Sequence, residues 1–285
     1  MKEPVKCKEW LFPVRYLNRR QEDMRVKIIV CIKQVPDTTE VRLNPETGTL
    51  IRDGVPSIIN PDDKAGLEAA LRLKDQCGAR VILLTMGPLQ ADEALREGLA
   101  MGADEAYLVS DRAFGGADTW ATSSTLASAI RKIGDCDLII TGRQAIDGDT
   151  AQVGPQIAEH LGLPHISYAE ELTLIDGGIS VKRQYEECYH LINAKLPCLV
   201  TALAELNEPR YMTPGGIRNA YEKEVTILTR ADLDVDDANI GLKGSPTRVL
   251  KSFTKEVKGK GTVVNLEPAE AVPWLTGKLR EKHMI

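Results

Sequence analysis

Apolar residues in this chain fall into short blocks from residue 26 onward, and amphipathic stretches separate the blocks. Most blocks are almost continuously apolar and rich in β-branched residues, which is typical of parallel strands buried on both faces. The blocks are 26–35, 80–87, 105–111 and 137–142. The stretches between and after them have the apolar spacing of helices and lie at 60–78, 90–103, 117–134 and 150–164. This alternation predicts the fold class α/β, with a Rossmann-like, doubly wound and mostly parallel sheet covered by helices on both faces.

The pattern changes in the second half of the chain. Residues 166–206 alternate between apolar and polar positions around a turn at Asp176–Gly178, which predicts antiparallel strands added to the edge of the sheet. Within this region, 196–203 is apolar enough to return as a buried strand. Between the first strand and the first helix, residues 41–54 predict a surface hairpin with its turn at Asn44–Gly48.

The two ends of the chain differ from the centre. Residues 1–23 are basic and contain no long apolar segment, so they are interpreted as an N-terminal extension and not as a secretory signal. Residues 205–285 contain few apolar runs able to build a core, which favours an extended C-terminal arm that wraps a partner. The predicted domain between them, 24–204, carries the α/β sheet.

Composition excludes several classes of function. The chain is 43% hydrophobic with a formal net charge of -5, so it lacks the basic stripe expected of a nucleic-acid-binding protein. No apolar run is long enough to form a transmembrane segment. The six cysteines show no Cys-x-x-Cys pair, which favours reduced thiols and a cytoplasmic location. Four scattered histidines give no metal-ligand spacing, and no metal site is predicted.

The polar segment GRQAIDGDTAQVG, residues 142–154, directly follows the predicted strand 137–142. Gly142 and Gly148 allow a ligand to approach the backbone closely, and Asp149 or Thr150 is expected to cap the next helix. The free amides at a helix start form an anion site. A phosphate or pyrophosphate would then lie against Thr150, Ala151 and Gln152. The spacing is equally compatible with a capped loop that binds nothing.

A second candidate is Asn60-Pro61-Asp62-Asp63, which precedes the helix 60–78. Taken alone, this segment is an ordinary helix start with acidic residues in the first turn. No His/Asp pair, nucleophile or acid/base pair is evident, so no catalytic residue is predicted. A nucleotide crevice without such groups favours a protein whose chemistry belongs to a bound cofactor.

Several motifs in this order resemble the β subunit of electron-transfer flavoproteins. They are VKIIVCIKQVPD, NPDDKAGLEAALRLKD, TMGPLQADEALREGLAMGADEAYLV, GRQAIDGDTAQVGPQIAEHLG and LPCLVTALAELNEPRYMTP, and the resemblance runs from about Met24 to the C-terminus. It implies an adenine-nucleotide-hydrolase-like α/β domain, a crevice for an adenine nucleotide and a C-terminal arm that embraces the α subunit. The family's nucleotide contacts carry over to Cys31, Asn60, Pro61, Asp62, Asp63, Met86, Ala145, Ile146, Asp147, Gly148, Asp149, Thr150, Ala151, Gln152, Val153, Gly154, Pro155 and Gln156.

The family has two branches, in which the β-subunit crevice holds either structural AMP or a second FAD. The segments 147–155 and 211–216 resemble the flavin-bifurcating branch. That resemblance implies FAD here, NADH as electron donor, and electrons delivered to ferredoxin or flavodoxin and, through the α-subunit FAD, to an acyl-CoA or other flavin dehydrogenase. One alternative is a non-bifurcating subunit with AMP. Another is a stand-alone nucleotide-binding module like the universal stress proteins, which lack such an arm.

Overall fold

The computed structural model describes residues 26–37, 56–250, 259 and 261–285. The chain divides into two compact units, 1–250 and 251–285. The predicted N-terminal extension (1–23) and the predicted hairpin (41–54) lie outside the described residues. In the part of the chain that is described, no helix is both long and apolar enough to cross a membrane.

The first unit contains eleven described strands and six described α-helices. The strands are β1 (Lys27–Cys31), β2 (Gln34–Pro36), β3 (Ser57–Ile59), β4 (Arg80–Met86), β5 (Glu105–Val109), β6 (Leu138–Gly142), β7 (His165–Ile175), β8 (Gly178–Gln184), β9 (Tyr189–Lys195), β10 (Cys198–Ala202) and β11 (Val225–Leu228). The helices are α1 (Pro61–Cys77), α2 (Asp92–Met101), α3 (Thr119–Ile133), α4 (Val153–Leu161), α5 (Pro214–Glu222) and α6 (Gly241–Gly244). The second unit contains α7 (Pro268–Glu281).

A mixed sheet of nine strands dominates the described first unit, in the order β11-β5-β4-β1-β6-β10-β7-β8-β9. The strands from β11 to β7 pair in parallel, whereas β8 pairs antiparallel with both β7 and β9. The predicted α/β class and the antiparallel edge are therefore confirmed. The buried strand expected at 196–203 is β10, which lies between β6 and β7.

The core lies on both faces of the sheet because successive strand residues point to opposite sides. Ile28 and Val30 of β1 face α1 and α2, whereas Ile29 faces α3 and α4. All three side chains are fully buried. Each face has its own apolar cluster, which explains why the parallel strands read as continuous apolar blocks and not as alternating ones.

Two regions depart from the expected elements. The single strand expected at 26–35 is divided, and β2 pairs with β3 in a separate small sheet. The division follows from hydrogen bonds at Lys33, whose amide donates to the Asp63 carboxylate and whose carbonyl accepts from the Asn60 amide. Residues 205–250 also contribute more to this unit than an arm would, because β11 extends the sheet and Leu233 and Ile240 enter the core.

Candidate functional site

The connections that leave β1 and β6 diverge at the carboxyl edge of the sheet. These strands are neighbours, but the chain after β1 leads to α1 on one face and the chain after β6 leads to α4 on the other. Such a divergence opens a crevice, and ligands of open α/β sheets bind there. Both predicted site segments, 60–63 and 145–156, lie at this position.

Asn60 binds the loop after β6 through both ends of its side-chain amide. Its Nδ2 donates to the Gln144 carbonyl at 2.8 Å, and its Oδ1 accepts from the Ile146 amide at 3.0 Å. The side chain is completely buried. Asn60 therefore reproduces a strand-like pair of hydrogen bonds that holds the loop against the start of α1.

Asp63 links the same loop to the segment after β1. Its two carboxylate oxygens accept from the amides of Lys33 at 2.8 Å and Gly142 at 2.9 Å. Burial raises the pKa of Asp63 to about 7, although hydrogen bonds from the Lys33 amide, Asn60 and the Gly142 amide act in the opposite direction. The carboxyl group thus lies between two loops. Burial disfavours its ionised form, and the two backbone amides that donate to it favour that form.

The other two residues of this helix start differ from Asn60 and Asp63. Pro61 is exposed at the first turn of α1, as expected from its position. Asp62 is buried, and its Oδ2 lies 3.4 Å from Nε of Arg143 without hydrogen-bond geometry. Burial raises the pKa of Asp62, and the Arg143 charge partly offsets this effect.

The two aspartates of the polar loop are paired within the chain. Asp147 accepts from Nζ of Lys33 with both oxygens, at 2.7 and 2.9 Å. Asp149 accepts from the side-chain amide of Gln144. The turn between them is closed by the amides of Gly148 and Asp149, which both donate to the Ala145 carbonyl. These pairings direct both carboxylates toward protein donors.

Helix α4 begins later than the sequence indicates. Its first residue is Val153, and its N-cap is Gln152, which makes no side-chain capping bond to a described residue. The expectation that Asp149 or Thr150 caps this helix is therefore wrong. The reason is the backbone of Asp149 and Ala151, whose φ angles of 55° and 52° lie in the left-handed region and turn the chain once more before the helix starts.

This extra turn leaves several amides free. From Thr150 to Gly154, no backbone amide donates to an acceptor among the described residues. A left-handed residue followed by a right-handed one turns successive amides toward a common point, and this geometry binds anions. Ala151 and Gln152 form such a pair. Strained non-glycine residues of this kind concentrate at ligand sites.

Helix α3 supports the loop from the opposite side, which the sequence did not reveal. Thr119 Oγ1 donates to Gln152 Oε1 at 3.0 Å, and Ser123 Oγ donates to Gln156 Oε1 at 3.3 Å. Thr119 directly follows Asp118, the capping residue of α3. The only sequence signal for this contact is the Asp-Thr start of that helix, which by itself indicates nothing beyond a cap. The sequence also contains no signal for Lys33, because its partner Asp147 lies far along the chain.

The glycines of the loop differ in what surrounds them. A Cβ at Gly154 would lie 2.5 Å from Thr141 Oγ1 and 2.8 Å from a methyl carbon of Thr201, so this glycine lets α4 pack closely on the sheet. Around Gly148, no described atom lies within 4 Å of such a Cβ. The open space in the loop is therefore at Gly148.

The remaining predicted residues lie at the edge of the crevice or beside the loop. Cys31 ends β1 and is buried, and burial together with the nearby Asp63 charge raises the pKa of its thiol. Met86 ends β4 and is half-buried. Ile146 is exposed on the loop, Val153 and Pro155 are half-buried in the first turn of α4, and Thr150 is exposed. No nucleophile with a lowered pKa is present among the described crevice residues.

The crevice of this doubly wound sheet thus combines a run of free backbone amides with polar side chains, and its described residues include no acid/base pair. A family model described as electron transfer flavoprotein domain matches residues 47–233. The electron transfer flavoprotein subunit beta of Clostridium acetobutylicum is 56% identical over 260 residues, covering 91% of this chain and 100% of that protein. The chain therefore belongs to the electron-transfer flavoprotein family, as a β subunit.

Two further relatives carry names that include a reductase. The caffeyl-CoA reductase-Etf complex subunit CarD of Acetobacterium woodii is 55% identical over 262 residues, covering 91% of this chain and 100% of that protein. The acryloyl-CoA reductase electron transfer subunit gamma of Anaerotignum propionicum is 47% identical over 268 residues, with the same two coverages.

Proposed function

We propose that this β subunit binds FAD in the crevice between β1 and β6 and works in a flavin-bifurcating complex. When bound, the FAD would supply the redox chemistry, accepting hydride from NADH and dividing the electrons between ferredoxin or flavodoxin and, through the α-subunit FAD, an acyl-CoA or other flavin dehydrogenase. The chain's own residues bind and orient this cofactor. The observation that carries the proposal is the set of free amides from Thr150 to Gly154 at the start of α4.

The donor set fits a diphosphate-linked nucleotide. The free amides run from Thr150 to Gly154 and so reach the first turn of α4, where the helix dipole also favours negative charge. The hydroxyl of Thr150 is exposed beside them. The Lys33 charge partly compensates that of Asp147, and the Asp149 carboxylate accepts a hydrogen bond from the Gln144 side chain, so both carboxylates oppose an anion less.

Two observations favour FAD over AMP. Gly148 is exposed and a Cβ there would meet no described atom, so this point of the loop does not obstruct a cofactor longer than AMP. The relatives from Acetobacterium woodii and Anaerotignum propionicum are named as electron-transfer parts of CoA reductases, and this is the setting in which a bifurcating β subunit would act. The competing candidate is a β subunit with structural AMP.

The partner surfaces follow from exposed apolar residues. Tyr211 is 95% exposed and Tyr221 is 73% exposed, at either end of a segment that α2 holds through Arg96, which donates to the carbonyls of Ala220 and Lys223 at 2.6 Å. An anchored segment that presents aromatic side chains to solvent favours a protein partner. We assign residues 205–285 to contacts with the α subunit and the dehydrogenase.

Extraction of the purified heterodimer of this chain and its α subunit tests the cofactor directly. Denaturation followed by chromatography should release two FAD molecules per heterodimer and no AMP. One FAD together with one AMP would contradict bifurcation and support the alternative. If neither nucleotide is bound beyond the α-subunit FAD, the crevice assignment itself fails.

The position of the phosphates can be tested by Thr150→Glu. A carboxylate beside the amides of 150–152 should repel the diphosphate, so the heterodimer should be purified with the crevice nucleotide missing. Thr173→Glu is the matched control, because Thr173 is an exposed threonine on β7 in the antiparallel part of the sheet. Unchanged nucleotide content in Thr150→Glu would show that the phosphates bind elsewhere.

The arm can be tested with a truncation placed where the structure allows it. Removing everything after residue 204 would delete β11 and the buried Leu233 and Ile240, so the sheet domain would also suffer. Removing 251–285 leaves the first unit complete. This shorter truncation should weaken binding of the α subunit while the melting temperature of the isolated chain stays unchanged. Full retention of the α subunit would limit the arm to 205–250.

A further inference from the structure

The Asp63 carboxylate occupies the point where the chain leaves β1 and β6. It is 7% exposed, and each of its oxygens accepts a backbone amide from a different loop, Lys33 on one side and Gly142 on the other. With Asn60 beside it, the side chains at the start of α1 make four hydrogen bonds to these two loops. Each of the four polar side-chain atoms of Asn60 and Asp63 already has a backbone partner in one of the two loops.

The approach of this carboxylate to the loop is unusually close. A Cβ built on Gly142 would overlap Oδ1 of Asp63 and would lie 2.9 Å from both the Asp62 Cβ and the Asp63 amide. Residue 142 can therefore accept this contact only as glycine. The closeness also places α1 directly against the end of β6, so the position of the following loop depends on the Asp63 contact.

An ion pair between Lys33 and Asp147 also joins the same two loops. Lys33, whose amide binds Asp63, extends its side chain to Asp147. The loop between these anchors is held at Gly142, at Gln144 and Ile146 by Asn60, and at Asp147. The residues that follow, 150–154, carry the free amides. Displacing the first anchors would therefore move the amides at the start of α4.

We propose that Asp63 is a positioning residue, which sets the distance between the two loops of the crevice and binds no part of the nucleotide itself. The inference rests on the proposed function, since it assumes that a nucleotide binds at the start of α4. It assigns a role to the helix start that differs from the direct contact expected from family resemblance.

The ionised form of Asp63 suits this role, because a carboxylate can accept both amides, whereas the protonated group presents an O–H toward one of them. Asp62 on α1 and Cys31 at the end of β1 interact with it electrostatically, and Lys33, Arg143 and Asp147 are the charged groups on the two loops that it joins. The Lys33 charge is paired with Asp147, and Arg143 lies beside Asp62. Asp63 thus keeps no dedicated cation of its own.

Protonation of Asp63 should therefore loosen the crevice as the pH falls through about 7, the value to which burial raises its pKa. The fold itself responds in the opposite sense. A carboxyl whose pKa is higher in the folded chain than in the unfolded chain stabilises the fold at low pH, and that contribution is lost as the pH rises from about 4 to about 7. Protonation of Asp63 therefore does not unfold the chain, and a loss of nucleotide at low pH that depends on Asp63 would not be caused by unfolding.

The experiment uses the full-length heterodimer stripped of its crevice nucleotide, with FAD and AMP as the probes. In Asp63→Asn one amide of the two loops meets an NH2 group, so FAD affinity should fall on the order of tenfold or more, and AMP affinity with it. The matched control is Asp137→Asn. Asp137 accepts from the Lys27 amide at 2.8 Å and ties the same two strands at their opposite ends.

The outcomes separate the two proposals. If the wild type binds neither FAD nor AMP in the crevice, the proposed function fails. If the wild type binds and Asp63→Asn binds equally well, or if Asp137→Asn loses as much affinity as Asp63→Asn, the positioning role is overturned. FAD is titrated between pH 6 and pH 8, where its diphosphate keeps its charge. Affinity should weaken toward pH 6 in the wild type and stay level in Asp63→Asn, and parallel profiles would also overturn the role.

Discussion

At the amino ends of the strands, Asp104 and Asp137 make the same pair of contacts. Each precedes its own strand, donates its amide to a carbonyl of the neighbouring strand and accepts that strand's amide with its carboxylate, at Val81 and Lys27 respectively. At the carboxyl ends, the corresponding carboxylate belongs to Asp63 on α1 and joins two loops. A carboxylate that accepts backbone amides therefore joins neighbouring strands directly at the amino ends. At the carboxyl ends it joins two loops that border the crevice.

The backbone shows the same contrast. The helices that lead back to the amino edge, α1, α2 and α3, are each followed by a glycine with positive φ, at Gly78, Gly102 and Gly134. In the loop after β6, at the carboxyl edge, positive φ falls on Asp149 and Ala151, residues for which this conformation is strained. Glycine adopts positive φ without strain at the ends of these helices. The strained non-glycine residues lie in the loop that carries the free amides, as is common at ligand sites.

The largest effect is expected from Gly142→Val, which fills the contact between Asp63 and β6. Because the space is occupied by the Asp63 carboxylate and the backbone of α1, this overpacking should reduce the free energy of unfolding by about 3 kcal/mol and empty the crevice. Urea unfolding and nucleotide extraction measure the two effects. The control is Gly148→Ala, where no described atom lies nearby and stability should stay within about 0.5 kcal/mol. Equal stability of the two variants would contradict the close contact.

Asn60→Ala should come next, with a loss of about 2 kcal/mol, because the Gln144 carbonyl and the Ile146 amide lose their buried partner. The loop that carries the free amides would be released from α1, so crevice nucleotide should be lost along with stability. A variant that unfolds earlier yet retains full nucleotide would show that the loop holds its shape without Asn60.

Asp104→Asn tests the amino edge and should reduce stability by about 1 kcal/mol, through weaker contacts to Val81 and Lys74. The affinity for FAD should not change, because this carboxylate lies at the edge away from the crevice. Comparison of the melting temperature with the FAD dissociation constant measures both. A loss of affinity as large as that of Asn60→Ala would remove the distinction between the two edges.

Lys33→Met should have the smallest effect, below about 1 kcal/mol, because the Lys33 side chain is 42% exposed and solvent screens its ion pair with Asp147. The wild-type contribution should also shrink at high salt. Unfolding of both proteins in low and high sodium chloride checks this expectation. A difference between them that does not depend on salt would mean that Lys33 acts through packing and not through charge.

Much of the structure at the amino ends of the strands could be predicted from sequence, because helix ends are determined by residues close together in the chain. The ends of α1 at Gly78 and of α2 at Gly102 follow from residues at the ends of the helices themselves. The carboxyl edge depends on contacts between distant residues, such as Lys33 with Asp63 and Thr119 with Gln152. Apolar patterning contains no information about which amide a buried carboxylate will bind, so the division of the first strand and the late start of α4 were missed.

The region after residue 204 was misjudged in its contribution to the sheet for a related reason. Val225–Leu228 is too short and too mixed in pattern to read as a strand, with two of its four residues exposed. Its pairing with β5 and the burial of Leu228 depend on an edge that the rest of the sheet supplies. Leu233 and Ile240 are isolated apolar residues in the sequence, so their burial could not be predicted without the core cluster that they join.

Hydrogen exchange of the heterodimer, with the crevice nucleotide bound and after stripping, tests most directly whether the carboxyl edge is the nucleotide site. We predict protection by the nucleotide at amides 142–156, strongest at 150–154, and no change at the amino-edge residues 102–104 and 134–137. Protection that is absent from 150–154, or equal at the two edges, would contradict it.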